Sequence, residues 1–283
     1  IDSVLAQNFT DFELLISDNC SPDNTADVVG GYDDPRIRYV RHETNLGANP
    51  NFNFCVEDAN GEYLLLLSDD DLIDPDFLQS CVDSLQGKDN IGFVRTGART
   101  INKDNEVIWN SPNDVADHTP RDLYLAWFTN KTAVYLCSVL FNVAALKSIG
   151  GLSSKHNLLE DGYAIVRLVN DYDWVDIKEI KSSFRQYPEQ RTFSFPVKEW
   201  CEEFVGLLAL MERQVEGDIA GFRDLGMRFF RRLSKQRVSA IVSPWKRIKA
   251  KLTVTRFFGW KTYLRPLIRL VRGQRSVAEP RGV

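Results

Sequence analysis

No uninterrupted apolar segment of this 283-residue chain approaches the roughly 18–20 residues that span a bilayer, so a crossing helix is not expected. Cysteine is sparse. Cys20, Cys55, Cys81, Cys137 and Cys201 are odd in number and form no CxxC pair, which indicates neither a disulfide framework nor a zinc site; they read as reduced, mostly buried thiols of a cytoplasmic protein. Histidine is sparser still. His42, His118 and His156 are scattered, no Ser-His or Cys-His arrangement for nucleophilic catalysis stands out, and each reads as a surface or satisfied side chain. Internal repeats and low-complexity tracts are also missing. With 43% hydrophobic and 26% charged residues, the composition argues against wholesale disorder.

What the chain has in quantity is charge, and it is segregated. The net charge of −4 hides +15 over residues 219–283, where 17 Lys or Arg meet only Asp224 and Glu279, and −19 over residues 1–218. An acidic front and a basic tail call for different partners. Phe229-Phe230-Arg231-Arg232, Trp245-Lys246-Arg247-Ile248 and Leu267-Ile268-Arg269 interleave rings or aliphatic chains with cations, a mixture that suits an anionic membrane surface. A helical appendage packed on the acidic front is the alternative. Nucleic acid, the general rival for basic segments, is not expected as a partner.

Along the first ninety or so residues, strand and helix patterns alternate. Residues 12–17, 37–40 and 63–67 read as buried strands, 51–59 and 75–85 as helices, which predicts an α/β fold with a mostly parallel, doubly wound sheet. Residues 1–7 read as the end of a helix. A βαβ unit needs a strand ahead of that helix, so the opening strand is expected to be missing from this chain. After Gly92 the rhythm changes to a hairpin around Lys103-Asp104-Asn105, a helix over 120–129, a strand over 133–141, helices over 142–149 and 158–169, and short strands at 174–177 and 183–187. From residue 197 onward the pattern is helical, broken at Pro244 and Pro266.

The candidate chemistry sits at strand ends. Leu64-Leu65-Leu66-Leu67-Ser68 runs straight into Asp69-Asp70-Asp71. Ligands of open α/β sheets bind outside the carboxyl ends of the strands, and hard carboxylate oxygens there suit magnesium or manganese completed by substrate phosphates. The other reading is a solvated acidic turn leading into Pro75 and Asp76. The first strand ends at Ser17-Asp18-Asn19, where Asp18 can accept from a base N–H or a ribose hydroxyl, or simply organise an Asx turn. Asn45-Leu46-Gly47 reads as a turn with Gly47 at positive φ. Glu160-Asp161-Gly162 opens a helix, either as dipole partners or with one carboxylate available as a general base.

Taken in order, "FELLISDNCSPDNT", "NLGANPNFN", "GEYLLLLSDDDLIDPDFL" and "LLEDGYAIVRL" resemble the family-two glycosyltransferases of the GT-A fold, over roughly residues 1–190. The resemblance implies a GT-A domain over 1–195, lacking its first strand, followed by a helical basic region over 196–283. It implies nucleotide-sugar contacts from Asp18, Asn19, Asn45, Asp69 and Asp70, a divalent metal (manganese or magnesium) on Asp70, and Asp161 as the catalytic base of an inverting transfer. Asn19 stands where many members have a second Asp, and Phe52 where many have an Arg. The partners implied are a nucleotide-diphosphate sugar and a glycan or lipid-linked acceptor, handled in the cytoplasm and at the inner face of a membrane. A nucleotidyltransferase, or a truncated module that binds nucleotide sugar without turnover, is the alternative.

Overall fold

The computed structural model describes residues 1–187 and 195–259. The chain opens with the short helix α1 (Asp2–Leu5), then β1 (Leu14–Asp18), α2 (Thr25–Gly30) and β2 (Ile37–Arg41). β1 and β2 pair in parallel, Leu14 opposite Ile37 through Asp18 opposite Arg41. Next come α3 (Ala48–Asp58), β3 (Tyr63–Leu65), β4 (Leu72–Ile73), α4 (Phe77–Leu85), β5 (Ile91–Ile101) and β6 (Val107–Ser111). Then follow α5 (Pro120–Phe128), β7 (Val139–Asn142), α6 (Val143–Ser148), α7 (Glu160–Leu168) and β8 (Asp173–Arg185). Three longer helices close the described chain: α8 (Val197–Glu212), α9 (Ile219–Ser239) and α10 (Pro244–Phe258). The expected breaker at Pro266 and the basic stretches after Gly259 lie outside the described residues.

The α/β class stands, but the sheet is mixed rather than mostly parallel. Its order is β3-β7-β5-β8-β4, with β6 on β5, and only β5 with β8 runs parallel within it. The physical reason is connection length. The β5–β6 hairpin turns at Asn105 with φ 65°, and so short a link allows only antiparallel pairing. β7 then enters antiparallel between β3 and β5. The two short strands expected at 174–177 and 183–187 are one strand, β8, whose polar middle is accommodated by register shifts opposite Arg95 and Gly97 on β5. The strand expected over 133–141 shrinks to β7, because Leu136–Ser138 forms a 3-10 turn.

β1 and β3 are half-buried rather than wholly buried. Among the described residues each is paired along one edge alone, which leaves part of an apolar strand in contact with water. Period-two alternation sends Val139 and Phe141 of β7 to one face of the sheet and Leu140 to the other. The first face carries the main core. There Phe93 and Phe141 from the sheet, Trp127 and Phe128 of α5, Ile165 of α7, Trp200 and Phe204 of α8, Phe222 and Phe230 of α9, and Val254 of α10 form one continuous cluster. The opposite face carries a smaller one, with Val4, Ile73, Phe77, Cys81 and Val94. Local signals set the helix starts: Thr119 caps α5 ahead of Pro120 by accepting from Asp122 N, and Asn142 caps α6 by accepting from Ala145 N. Among the described residues no helix is long and apolar enough to cross a membrane.

Candidate active site

β1 ends in a buried aspartate. Asp18 is 4% exposed; its Oδ1 accepts from Ser21 N at 2.7 Å and its Oδ2 from the Tyr39 hydroxyl at 2.5 Å, with Arg41 Nε 3.5 Å away. Burial alone would raise this carboxyl, but the Tyr39 and Ser21 hydrogen bonds outweigh it and hold the group below its ordinary value. Two hydrogen-bond donors on four lone-pair positions, with the Arg41 ion pair beside them, leave Asp18 able to accept from a ligand. Asn19 and Asn45 come together beside it. Asn19 Nδ2 donates to Asn45 Oδ1 at 3.1 Å, Asn19 Oδ1 accepts from Leu46 N at 2.7 Å, and Asn45 Oδ1 accepts from Gly47 N at 2.8 Å. Gly47 takes φ 88°, as the turn required. A carboxylate at position 19 could not donate to Asn45, so the amide suits this loop tie.

The contact between Ser17 and His42, which the parallel register brings to 3.0 Å, has no local signature in the chain. Ser17 Oγ donates to Asn51 Oδ1 at 2.7 Å, so it takes a hydrogen bond from the imidazole instead of giving one. This is a clamp between β1, β2 and α3, not an activated nucleophile. Phe52, where the resemblance leads one to look for an arginine, packs against the main core.

The acidic triplet divides by burial. Asp69 is exposed, Asp70 half-buried and Asp71 buried. Asp71 Oδ1 accepts from Arg185 N at 2.8 Å, and the carbonyl of Asp70 accepts from Arg185 Nε at 2.8 Å. The end of β8 therefore fixes the triplet. Burial pushes the Asp71 carboxyl up to about 7; the Arg185 amide opposes the rise and the neighbouring Asp70 charge adds to it. Burial raises the Tyr187 phenol, and the neighbouring Asp70 carboxylate adds to the rise. The burial of Asp71 and the parts played by Arg185 and Tyr187 were not anticipated.

Asp161 stands in the first turn of α7, half-buried, its Oδ1 accepting from Gly162 N at 2.7 Å. Burial raises its carboxyl to about 7, against the pull of the Gly162 amide and with help from the adjacent Glu160 charge. Gly162 lets α7 begin this deep: a β-carbon there would lie 3.0 Å from the Trp127 ring and 3.3 Å from Leu207. The loop ahead of α7 is gripped from α8. Glu203 accepts from Ser154 Oγ at 2.8 Å and His156 N at 2.5 Å, and Glu202 accepts from Lys155 at 2.6 Å and His156 Nε2 at 2.8 Å. Arg167 holds the same loop through Ser153. Tyr135 stacks on Phe184 with ring centroids 4.4 Å apart, and burial raises its phenol, with the charges of Cys137, Asp161 and Asp71 adding to the rise.

Among the described residues no group of three or more His, Cys, Asp or Glu side chains converges on a metal position. Magnesium and manganese sites that borrow phosphate oxygens need only one or two carboxylates, and Asp70, with Asp69 beside it, offers hard oxygens of that kind. A cavity of about 610 Å³ lies at the opposite end of β5 and β8, lined by Asp89, His118, Trp174 and Asp176. It includes none of the strand-end aspartates, so the chemistry marks the site and the concavity does not.

Comparisons with known proteins bear on the family and the fold. Residues 1–150 match the family model described as Glycosyl transferase family 2. The chain is 35% identical over 97 residues to the GalNAc(5)-diNAcBac-PP-undecaprenol beta-1,3-glucosyltransferase of Campylobacter jejuni, 33% of this chain and 30% of that one. It spans 11% to 17% of the length of the first four curated relatives it matches. Among solved structures, residues 1–349 of S. aureus TarS superpose with a TM-score of 0.62 at 16% identity, covering 96% of this chain and 82% of that one. The Pyrobaculum calidifontis mannosyltransferase PcManGT, solved with GDP-Man and Mn2+, gives 0.53 at 14% identity, over 95% and 78%. Strand-end aspartates, a helix-borne carboxylate and a mixed sheet with added C-terminal helices thus occur in a chain of GT-A fold that belongs to glycosyl transferase family 2.

Proposed function

We propose that this chain transfers a sugar, with inversion, from a nucleotide-diphosphate sugar to a hydroxyl of a glycan or lipid-linked acceptor, at the cytoplasmic face of a membrane. The observation that carries the reading is Asp161: a carboxylate in the first turn of α7, behind a loop that Glu202 and Glu203 of α8 hold in place, and raised to about 7. A general base with a pKa near the working pH combines availability with driving force. Asp161 takes the proton of the acceptor hydroxyl as its oxygen bonds to the anomeric carbon and the bond to the nucleoside diphosphate breaks. Asp18 accepts from the base or ribose with a remaining lone pair, and the Asn19–Asn45 tie shapes the loop around the nucleotide. Asp70, with Asp69, would hold a divalent ion, which neutralises charge on the departing diphosphate as a Lewis acid. The names of the Campylobacter enzyme and of PcManGT support a lipid-linked acceptor and a nucleotide-sugar donor, and five free thiols suit a reducing compartment.

The test is Asp161→Asn assayed against nucleotide-sugar donors. Turnover should fall by about 10²–10⁴-fold with donor affinity nearly unchanged, since only the transition state loses the base. Normal turnover with weakened donor binding would make Asp161 structural. Donor binding without turnover in the unaltered protein would favour the non-catalytic binding module.

A further inference from the structure

We infer that the outer face of α10 docks this protein on an anionic lipid surface. The helix is apolar on two opposite sides. Ala250, Val254 and Phe258 are buried in the main core. Trp245, Ile248 and Leu252 follow at i, i+3 and i+7, which places them in one stripe along the helix, and they point to water with 82%, 50% and 60% of their surface exposed. Val242, just before the helix, is 89% exposed. Single exposed apolar residues need no explanation; a contiguous stripe of large ones marks an interaction surface.

Charge says what that surface meets. Lys246, Lys249, Lys251 and Arg256 are exposed on the same helix, and among the described residues none of the four has a carboxylate partner. From residue 225 to 278 the sequence holds fifteen Lys and Arg and no Asp or Glu. A nucleic acid would satisfy the cations and leave Ile248 and Leu252 in water. An anionic bilayer takes both: the cations sit at the phosphate level while the aliphatic chains and the indole enter the boundary beneath it. Fifteen residues of helix are about 22 Å long, and with its inner side fixed in the core α10 lies along the surface. The inference does not depend on the proposed transfer, because vesicle binding is read without turnover and either can fail alone.

The experiment is flotation of the full chain with phosphatidylcholine vesicles, with and without phosphatidylglycerol. Binding should appear only with phosphatidylglycerol, weaken at high salt and persist in part, since salt screens the cations within about 8 Å and leaves the apolar contact. The variant Trp245→Ser/Ile248→Ser/Leu252→Ser should lose the salt-resistant part, and Lys246→Glu/Lys249→Glu should lower affinity about tenfold or more. Both change exposed side chains only, and a native circular dichroism spectrum is required of each. Indifference of the unaltered protein to anionic vesicles, or serine-variant binding equal to the original, overturns the proposal. So does a serine variant that changes only the oligomeric state, which assigns the stripe to a second copy, or salt-labile binding matched on duplex RNA, which assigns the cations to nucleic acid.

Discussion

At the scale of single residues, the candidate site holds two carboxyls that burial makes hard to ionise. Asp71 and Asp161 are both raised to about 7, each first by burial. For Asp161 the sign of the consequence is definite. A carboxyl that binds its proton more tightly in the folded state stabilises the protein at pH below its unfolded value, and that stability is lost as pH rises towards about 7. Asp161→Asn removes the ionising group, so at pH 8 the variant should be more stable than the original by ~1–2 kcal/mol after allowance for partial exposure, read as a higher Tm. The activity profile of the unaltered enzyme should fall as pH drops through about 7, and the asparagine variant should lack that limb. Asp70 predicts differently. Asp70→Ala should abolish manganese-dependent binding of UDP or GDP with the fold intact; calorimetry showing equal affinity with and without the substitution would remove Asp70 from the site. Asp69 and Asp70 were legible because a charged triplet on an apolar strand is conspicuous. The burial of Asp71 was not, since its partner, the Arg185 amide, is 114 residues away.

At the scale of elements, helix type and order were largely readable, and strand pairing was not. Thr119-Pro120 and Asn142 announce α5 and α6 by local chemistry, and local chemistry is what a sequence displays. Whether β7 lies parallel or antiparallel to β5 depends on how the chain returns through α5, which no window of residues encodes. The 3-10 turn at Leu136–Ser138 carries apolar residues that read equally well as strand. Gly162 shows how an element places the carboxylate proposed as the base. It admits the start of α7 between Trp127 and Leu207, and the Glu203 grip on Ser154 and His156 fixes the loop before it. Gly162→Ala therefore forces the Trp127 ring or the helix to move by a few tenths of an ångström. Overpacking of this kind costs about 1–3 kcal/mol. We expect a lower Tm and turnover reduced more than donor affinity, because α7 carries Asp161 and none of the residues proposed to contact the nucleotide. A variant with an unchanged Tm would show that the site relaxes freely.

At the scale of the whole molecule, the charge asymmetry marked a difference in surface and concealed a shared interior. The basic helices read from sequence as an appendage, yet Phe222, Phe229 and Phe230 of α9 lie in one cluster with Trp127 and Phe128 of α5 and with Phe204 of α8. Gly226 lets α9 approach closely, where a β-carbon would stand 2.5 Å from Leu208 and 3.0 Å from the Phe128 ring. Cross-links at the rim add to this: Arg223 pairs with Glu212, Arg121 donates to the Glu216 carbonyl, and Arg232 to Asn130. Interleaved aromatics and cations could be read from the sequence, but which aromatics turn inward could not, because that depends on the face α9 presents to α5. The sum decides what a shortened chain would do. Each buried phenylalanine is worth about 1.5–3 kcal/mol, so the three on α9 alone weigh heavily against a net stability of about 5–15 kcal/mol. A chain ending at Asp218 would also leave the facing rings of α5 and α8 in water. It should lose the cooperative thermal transition and bind a hydrophobic dye, whereas the full chain carrying serine at Trp245, Ile248 and Leu252 should keep a Tm near the original. A cooperative melt of the shortened chain at the original temperature would show that α9 and α10 add surface and no stability.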